Sequence, residues 1–233
     1  MDVGPVWETG EPEEGGQAMT RTYWIAAATL ILLAFALSAA VYSSLPEKIP
    51  IHWNARGEID GYGNKQWAAF LSPMIMLGML ALLRAVPWLS PKHFEVDTFR
   101  NTYAFIVVLV MVLFAYIHVL TLLVPLGYKV DTVKAMLVGM MLFFMLLGNV
   151  LGKVQRNFFV GVRTPWTLAS ERVWTETHRL AAWLFAGTGL LGMISVLAGL
   201  SIFVPLGLIL ACVVAIIGFS LVRYKQLERR GEL

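Results

Sequence analysis

Long apolar runs separated by short polar segments form the main pattern of this chain. Six windows are apolar on every face, whereas an amphipathic helix of a soluble protein would carry polar residues along one side. Each window is close to the roughly 20 residues that a helix needs to cross a bilayer. The windows cover residues 23–42, 67–88, 103–124, 133–151, 180–200 and 202–222. This pattern predicts an all-α polytopic membrane protein with six transmembrane helices.

The polar segments divide the chain into a tail, one membrane domain and two longer loops. Residues 1–18 are rich in Gly, Pro and Glu, which predicts a disordered acidic tail. Residues 19–233 are predicted to form a single six-span membrane domain with longer loops at 45–66 and 152–179. The first apolar window also resembles a cleaved signal peptide, because Ser38-Ala39-Ala40 is a small-residue motif. The acidic residues that precede the window favour a retained span instead.

Lysine and arginine residues flank the six spans unevenly. Both termini lie on one side, and that side carries 13 of the 18 Lys and Arg residues, against 5 on the other. Positive residues accumulate on the cytoplasmic side of membrane proteins. The distribution predicts a multi-pass protein of the cell membrane with cytoplasmic termini, a cytoplasmic 152–179 loop and an extracytoplasmic 45–66 loop. The small net charge of +3 is spread over these loops, and we predict no direct contact with nucleic acid.

Ionisable side chains are scarce inside the predicted spans. Arg84 lies near a span end, where its side chain can reach the membrane surface, so it is interpreted as an anchor. His118 lies well inside a span, and Asn149 is a polar residue near the end of another. A neutral, hydrogen-bonded His118 is favoured over a proton relay or a ligand. The single cysteine, Cys212, lies in the last window and is interpreted as a packing residue.

Sequence motifs of catalysis are missing. The chain contains no H-E-x-x-H, no G-x-S-x-G and no phosphate-binding G-x-x-x-x-G-K. The predicted topology also places His52 and His178 on opposite faces of the membrane, so that they cannot share a metal ion. We therefore predict no catalytic residues, no metal and no cofactor, and a protein that is not an enzyme.

The segment 157–178 concentrates polar and aromatic residues between apolar runs. Gly161 permits a sharp turn, Thr164 and Pro165 fit the cap and first position of a helix, and Ser170 fits a second cap. Trp166 and Trp174 suit the headgroup layer of a membrane. Arg163 is a candidate to hold a lipid phosphate, a carboxylate or backbone carbonyls, and Arg163→Lys should impair function if the contact is bidentate. The residues alone leave an interfacial anchor and a binding segment equally open.

Turn and packing signals complete the pattern. In the 45–66 loop, prolines enforce extended backbone and the turn signals at 54–57 and 60–61 predict a small ordered β-like cap. Gly148 and Gly152 are spaced to let two helices approach closely, as are Gly187, Gly189 and Gly192, and the interior of one bundle is favoured over a dimer seam. The link at 199–207 is predicted to be a tight hairpin at Pro205.

The 157–178 segment resembles the signature of the SdpI family, which comprises bacterial membrane immunity proteins. That signature has the form N-x-x-x-G-x-R-T-P-W-T-L-x-S-x-x-x-W-x-x-T-H. Its positions are matched here by Asn157, Gly161, Arg163, Thr164, Pro165, Trp166, Thr167, Leu168, Ser170, Trp174, Thr177 and His178. The 45–66 loop resembles a small domain of unknown function that commonly precedes the signature, with the pattern L-P-x-x-I-P-x-H-W-N-x-x-G. Its candidate site residues are Pro50, His52, Trp53, Asn54 and Gly57.

The resemblance implies protection against a secreted, membrane-active peptide toxin, and in the family's founding system also capture of a repressor at the membrane. We therefore predict immunity, with sensing as an added role, by binding rather than catalysis. The toxin would contact the cap around His52, Trp53 and Asn54 together with the spans, and a cytosolic repressor is a candidate partner of the 152–179 loop. One alternative is a transporter or channel for a small solute or lipid, with a polar path at His118 and Asn149. A third hypothesis is a membrane-interface enzyme that uses His178 as general base and Arg163 to stabilise an oxyanion.

Overall fold

A computed structural model of the chain describes residues 14–54, 56–92, 94 and 96–233. The chain is helical from Glu14 onward. The tail predicted at 1–18 therefore falls mainly on residues 1–13, which lie outside the described residues.

Helices account for most of the described chain. They are α1 (Glu14–Val41), α2 (Lys65–Leu89), α3 (Arg100–Leu123), α4 (Thr132–Leu151), α5 (Pro165–Ala169), α6 (Glu171–Leu197) and α7 (Phe203–Arg230). Two strands, β1 (Lys48–Trp53) and β2 (Ile59–Asn64), pair between α1 and α2. Among the described residues, α1, α2, α3, α4, α6 and α7 are long and apolar enough to cross a membrane, which confirms the predicted all-α polytopic fold with six spans.

The six long helices form two groups of three that meet along one seam. α1, α2 and α3 pack on one another, α6 packs on both α4 and α7, and α3 packs on α4 to join the groups. Successive spans run antiparallel because the connections between them are short. One end of the bundle, here called the termini end, holds the start of α1, the 152–170 segment and the end of α7, where Arg172 pairs with Glu232. The other end, here called the hairpin end, holds β1, β2 and the α3–α4 and α6–α7 connections.

Close contact between α4 and α6 depends on glycines. A Cβ atom added to Gly148 would lie 2.5 Å from the backbone nitrogen of Ala186, and one added to Gly189 would lie 2.5 Å from the carbonyl oxygen of Met141. Gly192 likewise has the Met141 sulfur where its Cβ would be. These three glycines confirm the predicted close approach, and they do so inside one bundle. Gly187 differs, because a Cβ there would meet no described atom within 4 Å.

The 45–66 loop forms an antiparallel β-hairpin, as the turn signals predict. Ile49 pairs with Gly63 and Pro50 with Tyr62, and the register shifts after Pro50, which has no N–H to donate. The buried side chain of Ile49 and the hydrogen bond from Lys65 Nζ to the Leu45 carbonyl (2.8 Å) hold the hairpin against the bundle. The predicted extracytoplasmic loop is therefore an ordered cap on the hairpin end.

The α6–α7 connection differs from the prediction. The chain turns at Gly199, whose φ of +74° is accessible to glycine without strain, and α7 begins at Phe203. Pro205 lies in the first turn of α7, where a missing backbone N–H costs no helical hydrogen bond. The prediction of a hairpin at Pro205 was therefore wrong in its position by several residues.

Candidate functional site

Asn157 organises the loop that follows α4. Its side chain is fully buried, and its Nδ2 group donates to the carbonyl oxygens of Gln155 (2.8 Å) and Val160 (3.0 Å). Its Oδ1 atom accepts from the backbone N–H groups of Phe159 (2.8 Å) and Val160 (2.7 Å). The amide uses all of its hydrogen-bonding capacity on backbone groups between Gln155 and Val160, so Asn157 sets the shape of the loop.

His178 joins this loop to α6. Its Nδ1 atom lies 2.8 Å from the carbonyl oxygen of Trp174, which can only accept, so Nδ1 carries the proton. Its Nε2 atom accepts the backbone N–H of Val162 at 3.0 Å. The neutral ring is thus held in one tautomer, and both of its nitrogens bond to the backbone. Gly161 passes so close, with φ of +109°, that an added Cβ would overlap Nε2.

Trp174 lies inside the protein and not in the headgroup layer that its residue type suggested. Its side chain is 1% exposed, its Nε1 donates to the carbonyl oxygen of Val154 (2.7 Å), and its ring stacks on His178 at 4.0 Å between centroids. The 153–163 loop folds back over α6 and covers this face of the helix, which is why the tryptophan is buried. Trp166 is half-buried at the start of the short α5.

Two helix caps lie where the sequence predicts them. The Thr164 hydroxyl accepts the backbone N–H of Thr167, and Thr167 returns a side-chain contact to the Thr164 N–H, so α5 begins with a reciprocal capping box and Pro165 at its first position. Ser170 caps α6 through the N–H of Val173 (3.4 Å). The Thr164 hydroxyl also lies 3.2 Å from the hydroxyl of Ser220, which ties α5 to α7.

Thr177 is the member of the signature without a visible partner. Its side chain is fully buried, and its hydroxyl makes no hydrogen bond to any described residue. A threonine hydroxyl without a partner in a buried site costs free energy.

Arg163 contacts backbone and not a carboxylate. Its Nη1 donates to the carbonyl oxygen of Phe158 at 2.5 Å, while the side chain itself is exposed. Of the three partners predicted for Arg163, the structure therefore shows the backbone carbonyl. The neighbouring Arg156 also donates to a carbonyl, that of Leu168 (3.1 Å), and its guanidinium lies over the Phe94 ring. Both arginines thus donate to backbone carbonyls of the same segment and stabilise its folded conformation.

This single contact changes the expectation for Arg163→Lys. One donor to one carbonyl does not need the planar fork of a guanidinium, so we expect Arg163→Lys to keep the thermal stability of the purified protein within about 0.5 kcal/mol of wild type. Arg163→Ala, which removes the donor, should cost about 1 kcal/mol because the carbonyl is partly exposed to water. Thermal unfolding of the three proteins in one detergent measures both. A loss for Arg163→Lys as large as that for Arg163→Ala would show that the fork has a further partner.

A charged network that sequence reasoning missed lies beside the signature. The Glu176 carboxylate accepts both Nε and Nη2 of Arg223, the latter at 2.9 Å, and also Nε of Arg172 at 3.2 Å. Arg172 in turn donates to Glu232 at 2.6 Å. The network clamps α6 to α7 at the termini end. The i,i+4 spacing of Arg172 and Glu176 was visible in the sequence, but Arg223 lies 47 residues from Glu176 and gave no local signal.

The candidate residues of the cap lie at the opposite end of the bundle. Asn54 holds the hairpin tip, since its Oδ1 accepts the N–H groups of Arg56 (2.8 Å) and Glu58 (3.1 Å), and Gly57 turns the chain at φ of +82°. The exposed His52 ring lies 2.5 Å from the Asp60 carboxylate. Pro50 is buried and Trp53 half-buried. The structure thus does not bring the two predicted groups of site residues together.

His118 and Asn149 also lie far apart. The His118 ring is buried where α1, α2 and α3 meet, with Nε2 3.1 Å from both the Ala34 carbonyl oxygen and the Ser38 hydroxyl, which donates to the Ala69 carbonyl (2.6 Å). This is the hydrogen-bonded arrangement favoured from the sequence. Asn149 is exposed near the other end of the bundle, on α4. In the described part of the chain, no three His, Cys, Asp or Glu side chains lie close enough to hold a metal ion.

The fold and the site define a polytopic membrane protein in which the 153–170 segment is hydrogen-bonded to the last two spans and a β-hairpin caps the other end. Residues 153–222 match the SdpI/YfhL protein family, and residues 29–77 match a domain of unknown function (DUF1648). These two matches confirm the resemblance of the 157–178 segment to the SdpI family and of the 45–66 loop to the domain of unknown function. It is 28% identical to "Immunity protein SdpI" of Bacillus subtilis (strain 168) over 156 residues, which are 66% of this chain and 71% of that relative. No solved structure matches the chain.

Proposed function

We propose that this chain is a membrane immunity protein that protects its cell against a secreted, membrane-active peptide toxin. The observation that carries the proposal is its similarity to "Immunity protein SdpI" of Bacillus subtilis (strain 168), which extends over 156 residues and therefore over several spans. Both matched regions, 29–77 and 153–222, include membrane helices together with an ordered loop. The similarity thus extends over about two thirds of the chain and not over one short motif alone.

The hairpin end offers the surface that suits such a toxin. Ile51, Tyr62 and Trp67 expose apolar side chains there, with Tyr62 56% exposed. The exposed His52 and Asp60 lie on the same hairpin and supply polar groups. A membrane-active peptide has an apolar and a polar side, and a surface with both characters at the membrane boundary complements it. We therefore assign toxin binding to the hairpin and the adjoining spans, on the predicted extracytoplasmic side.

The signature loop is better suited to holding the fold than to chemistry. Both ring nitrogens of His178 bond to the backbone, and the Arg163 guanidinium bonds to a carbonyl of its own loop. These contacts give little support to the hypothesis of a membrane-interface enzyme in which His178 acts as general base. They favour protection by binding. The exposed Phe158 and Arg163 leave a surface at the termini end for a cytosolic partner, and a repressor there is our secondary assignment.

A transporter or channel receives less support from the geometry. Its proposed polar path needed His118 and Asn149, but these residues lie toward opposite ends of the bundle and on different helices. The His118 ring nitrogen Nε2 is also occupied by contacts to α1. We therefore keep transport as the hypothesis to be excluded, and solute flux in proteoliposomes that His118→Ala abolishes would revive it.

Survival under toxin tests the proposal. The chain is expressed in a sensitive bacterium that is challenged with secreted peptides encoded next to genes of this family, and colony counts are compared at equal membrane abundance. We expect wild type to protect, and His52→Ala and Tyr62→Ala each to reduce protection by about tenfold, the effect of losing a contact at the centre of an interface. Tyr128→Ala is the matched control, because Tyr128 is 62% exposed at the same end but lies outside the hairpin. Absence of protection by an abundant, folded wild type would overturn the proposal. Equal loss in the Tyr128→Ala control would overturn the assignment to the hairpin.

A further inference from the structure

A cavity of about 700 Å³ opens between α1, α2 and α3 at the termini end, away from the signature residues and from the hairpin. Three arginines line it, each from a different helix: Arg21 of α1, Arg84 of α2 and Arg100 at the start of α3. Such convergence is not needed to anchor a span, since one arginine near a helix end suffices for that. Neither the family signature nor the hairpin includes any of these residues.

The positive charge of the cavity is only partly compensated. Among the described residues that line the cavity, Asp97 is the one acidic residue, and it pairs with Arg100 at 3.4 Å. The described lining therefore carries three positive charges and one negative charge. Arg21 and Arg84 have no carboxylate partner among the side chains that the structure describes. Two guanidinium groups are thus available to an anion.

Aromatic residues hold one arginine in place and shape the wall of the cavity. The guanidinium of Arg84 lies over the ring of Trp24 at 5.1 Å, which joins α2 to α1. The Tyr103 hydroxyl donates to the carbonyl oxygen of Leu83 at 2.5 Å, so that the tyrosine packs α3 against α2 beside the same guanidinium. Packing by α1 and α3 therefore fixes the position of the Arg84 guanidinium at the cavity.

The cavity lies at the ends of the predicted spans, which is the level at which a bilayer places its lipid phosphates. Arg84 lies near the end of α2 and Arg21 in the second turn of α1, so both lie where apolar helix gives way to polar chain. Trp88 and Ile25, which also line the cavity, are 85% and 56% exposed on the outside of the bundle. Tryptophan prefers this boundary, and an apolar outer wall continues into the surface that acyl chains would cover. The cavity is therefore bordered by apolar side chains on the outer surface of the bundle.

We propose that this cavity binds the phosphate of an anionic phospholipid, with Arg21 and Arg84 as its principal contacts and the acyl chains along Ile25 and Trp88. Arginine recognises phosphate through two parallel hydrogen bonds, and basic pockets between membrane helices on the cytoplasmic side select anionic headgroups. A free phosphate ion shares the headgroup chemistry, but it would leave the exposed apolar wall unused. The site goes beyond the immunity role and does not depend on it.

Lipid binding to the purified protein tests this site directly. The chain in neutral detergent is titrated with phosphatidylglycerol, with phosphatidylcholine and, separately, with inorganic phosphate, and bound ligand is counted by native mass spectrometry. We expect phosphatidylglycerol to bind about tenfold more tightly than phosphatidylcholine, and Arg21→Gln/Arg84→Gln to abolish this preference, because each charged hydrogen bond is worth about a factor of ten. Arg21→Gln alone, at an exposed position, serves as the variant least able to disturb folding and should weaken binding in the same direction.

Arg229→Gln/Arg230→Gln is the matched control, because it removes the same charge from the termini end at the end of α7, outside the cavity. This control should keep the lipid preference of wild type. Equal loss in the cavity and control variants would reduce the effect to net charge and overturn the site. Inorganic phosphate that displaces phosphatidylglycerol at equal concentration would overturn the assignment to a lipid. A preference that survives Arg21→Gln/Arg84→Gln in a folded protein would overturn the whole proposal.

Discussion

Replacing Gly161 with alanine is expected to release the signature loop from α6 and to lower the stability of the protein strongly. The Cβ atom would overlap Nε2 of His178, which must then leave the backbone N–H of Val162. A buried N–H without a partner costs about 1–3 kcal/mol. The φ of +109° at Gly161 adds a cost of roughly 1–3 kcal/mol for any residue with a Cβ. We expect a total loss of about 3 kcal/mol or more in the free energy of unfolding.

Gly127→Ala separates the two causes. Gly127 also has a positive φ, of +89°, but an added Cβ would meet no described atom within 4 Å. This variant should therefore show the cost of backbone strain alone. Thermal unfolding of both variants in the same detergent gives the comparison, and the toxin survival assay shows whether the loop is needed for protection. If Gly161→Ala is no less stable than Gly127→Ala, the contact between the loop and His178 does not hold the loop to α6.

The six spans could be predicted from sequence because membrane helices are specified by local composition. A run of roughly 20 apolar residues has no alternative inside a soluble fold, and every helix satisfies its own backbone hydrogen bonds. The helix starts at Thr164 and Ser170 were predictable for the same reason, since a cap and the groups it satisfies lie within three residues. α6 begins nine residues before its apolar window, because the cap at Ser170 and not hydropathy decides where the helix starts.

The roles of the signature residues could not be predicted, because their contacts cross larger distances in sequence. Trp174 bonds to the Val154 carbonyl 20 residues away, and His178 accepts from Val162 16 residues away. Both contacts exist only once the loop has folded back over α6. A tryptophan beside a polar loop is expected at an exposed position near the membrane boundary. Trp174 is buried instead, because the loop itself covers its ring.

The Glu176–Arg223 ion pair was likewise not predictable from sequence, because its two residues lie 47 positions apart. Sequence alone does not pair the two residues, because Arg223 follows an apolar run like any flanking positive charge. In the structure the two carboxylate oxygens of Glu176 accept hydrogen bonds from the guanidinium of Arg223, and the pair is half-buried between α6 and α7.

The hairpin was predictable only in part. Its turns were predictable, but the register shift after Pro50, which decides that Pro50 is buried and His52 exposed, was not.

The proposed toxin-binding surface and the signature lie at opposite ends of the molecule. Exposed polar and aromatic groups gather on the hairpin, whereas Asn157, Trp174 and His178 of the signature are buried and hydrogen-bonded to the backbone around them. A toxin bound at the hairpin can affect the signature only through the spans that connect them. Of these, α4 and α6 make the closest contact and reach from one end to the other. We therefore expect the packing of this helix pair to determine both the stability of the signature and its coupling to the hairpin.

Alanine at Gly148 or Gly189 is expected to force α4 and α6 apart. At Gly148 the new Cβ would lie 2.5 Å from the nitrogen of Ala186 and 2.7 Å from the carbonyl oxygen of Ala182. At Gly189 it would lie 2.5 Å from the Met141 oxygen and the Met145 nitrogen. These are backbone atoms, so relief requires the helices to shift, and each substitution should cost about 3 kcal/mol, the upper part of the range for overpacked cores.

Gly187→Ala is the matched control, since it makes the same change on the same helix in open space. Alanine is the better helix former by about 1 kcal/mol, so this variant should be as stable as wild type or slightly more stable. Unfolding of the three variants by heat in one detergent measures the difference. Hydrogen exchange at the Val162 amide, which donates to His178, reports whether the signature loop opens with the helices. Stability of Gly148→Ala and Gly189→Ala equal to that of Gly187→Ala would contradict the close contact. A large loss of stability with unchanged hydrogen exchange at the Val162 amide would separate the helix pair from the signature, and a change at the hairpin would then have no route through α4 and α6.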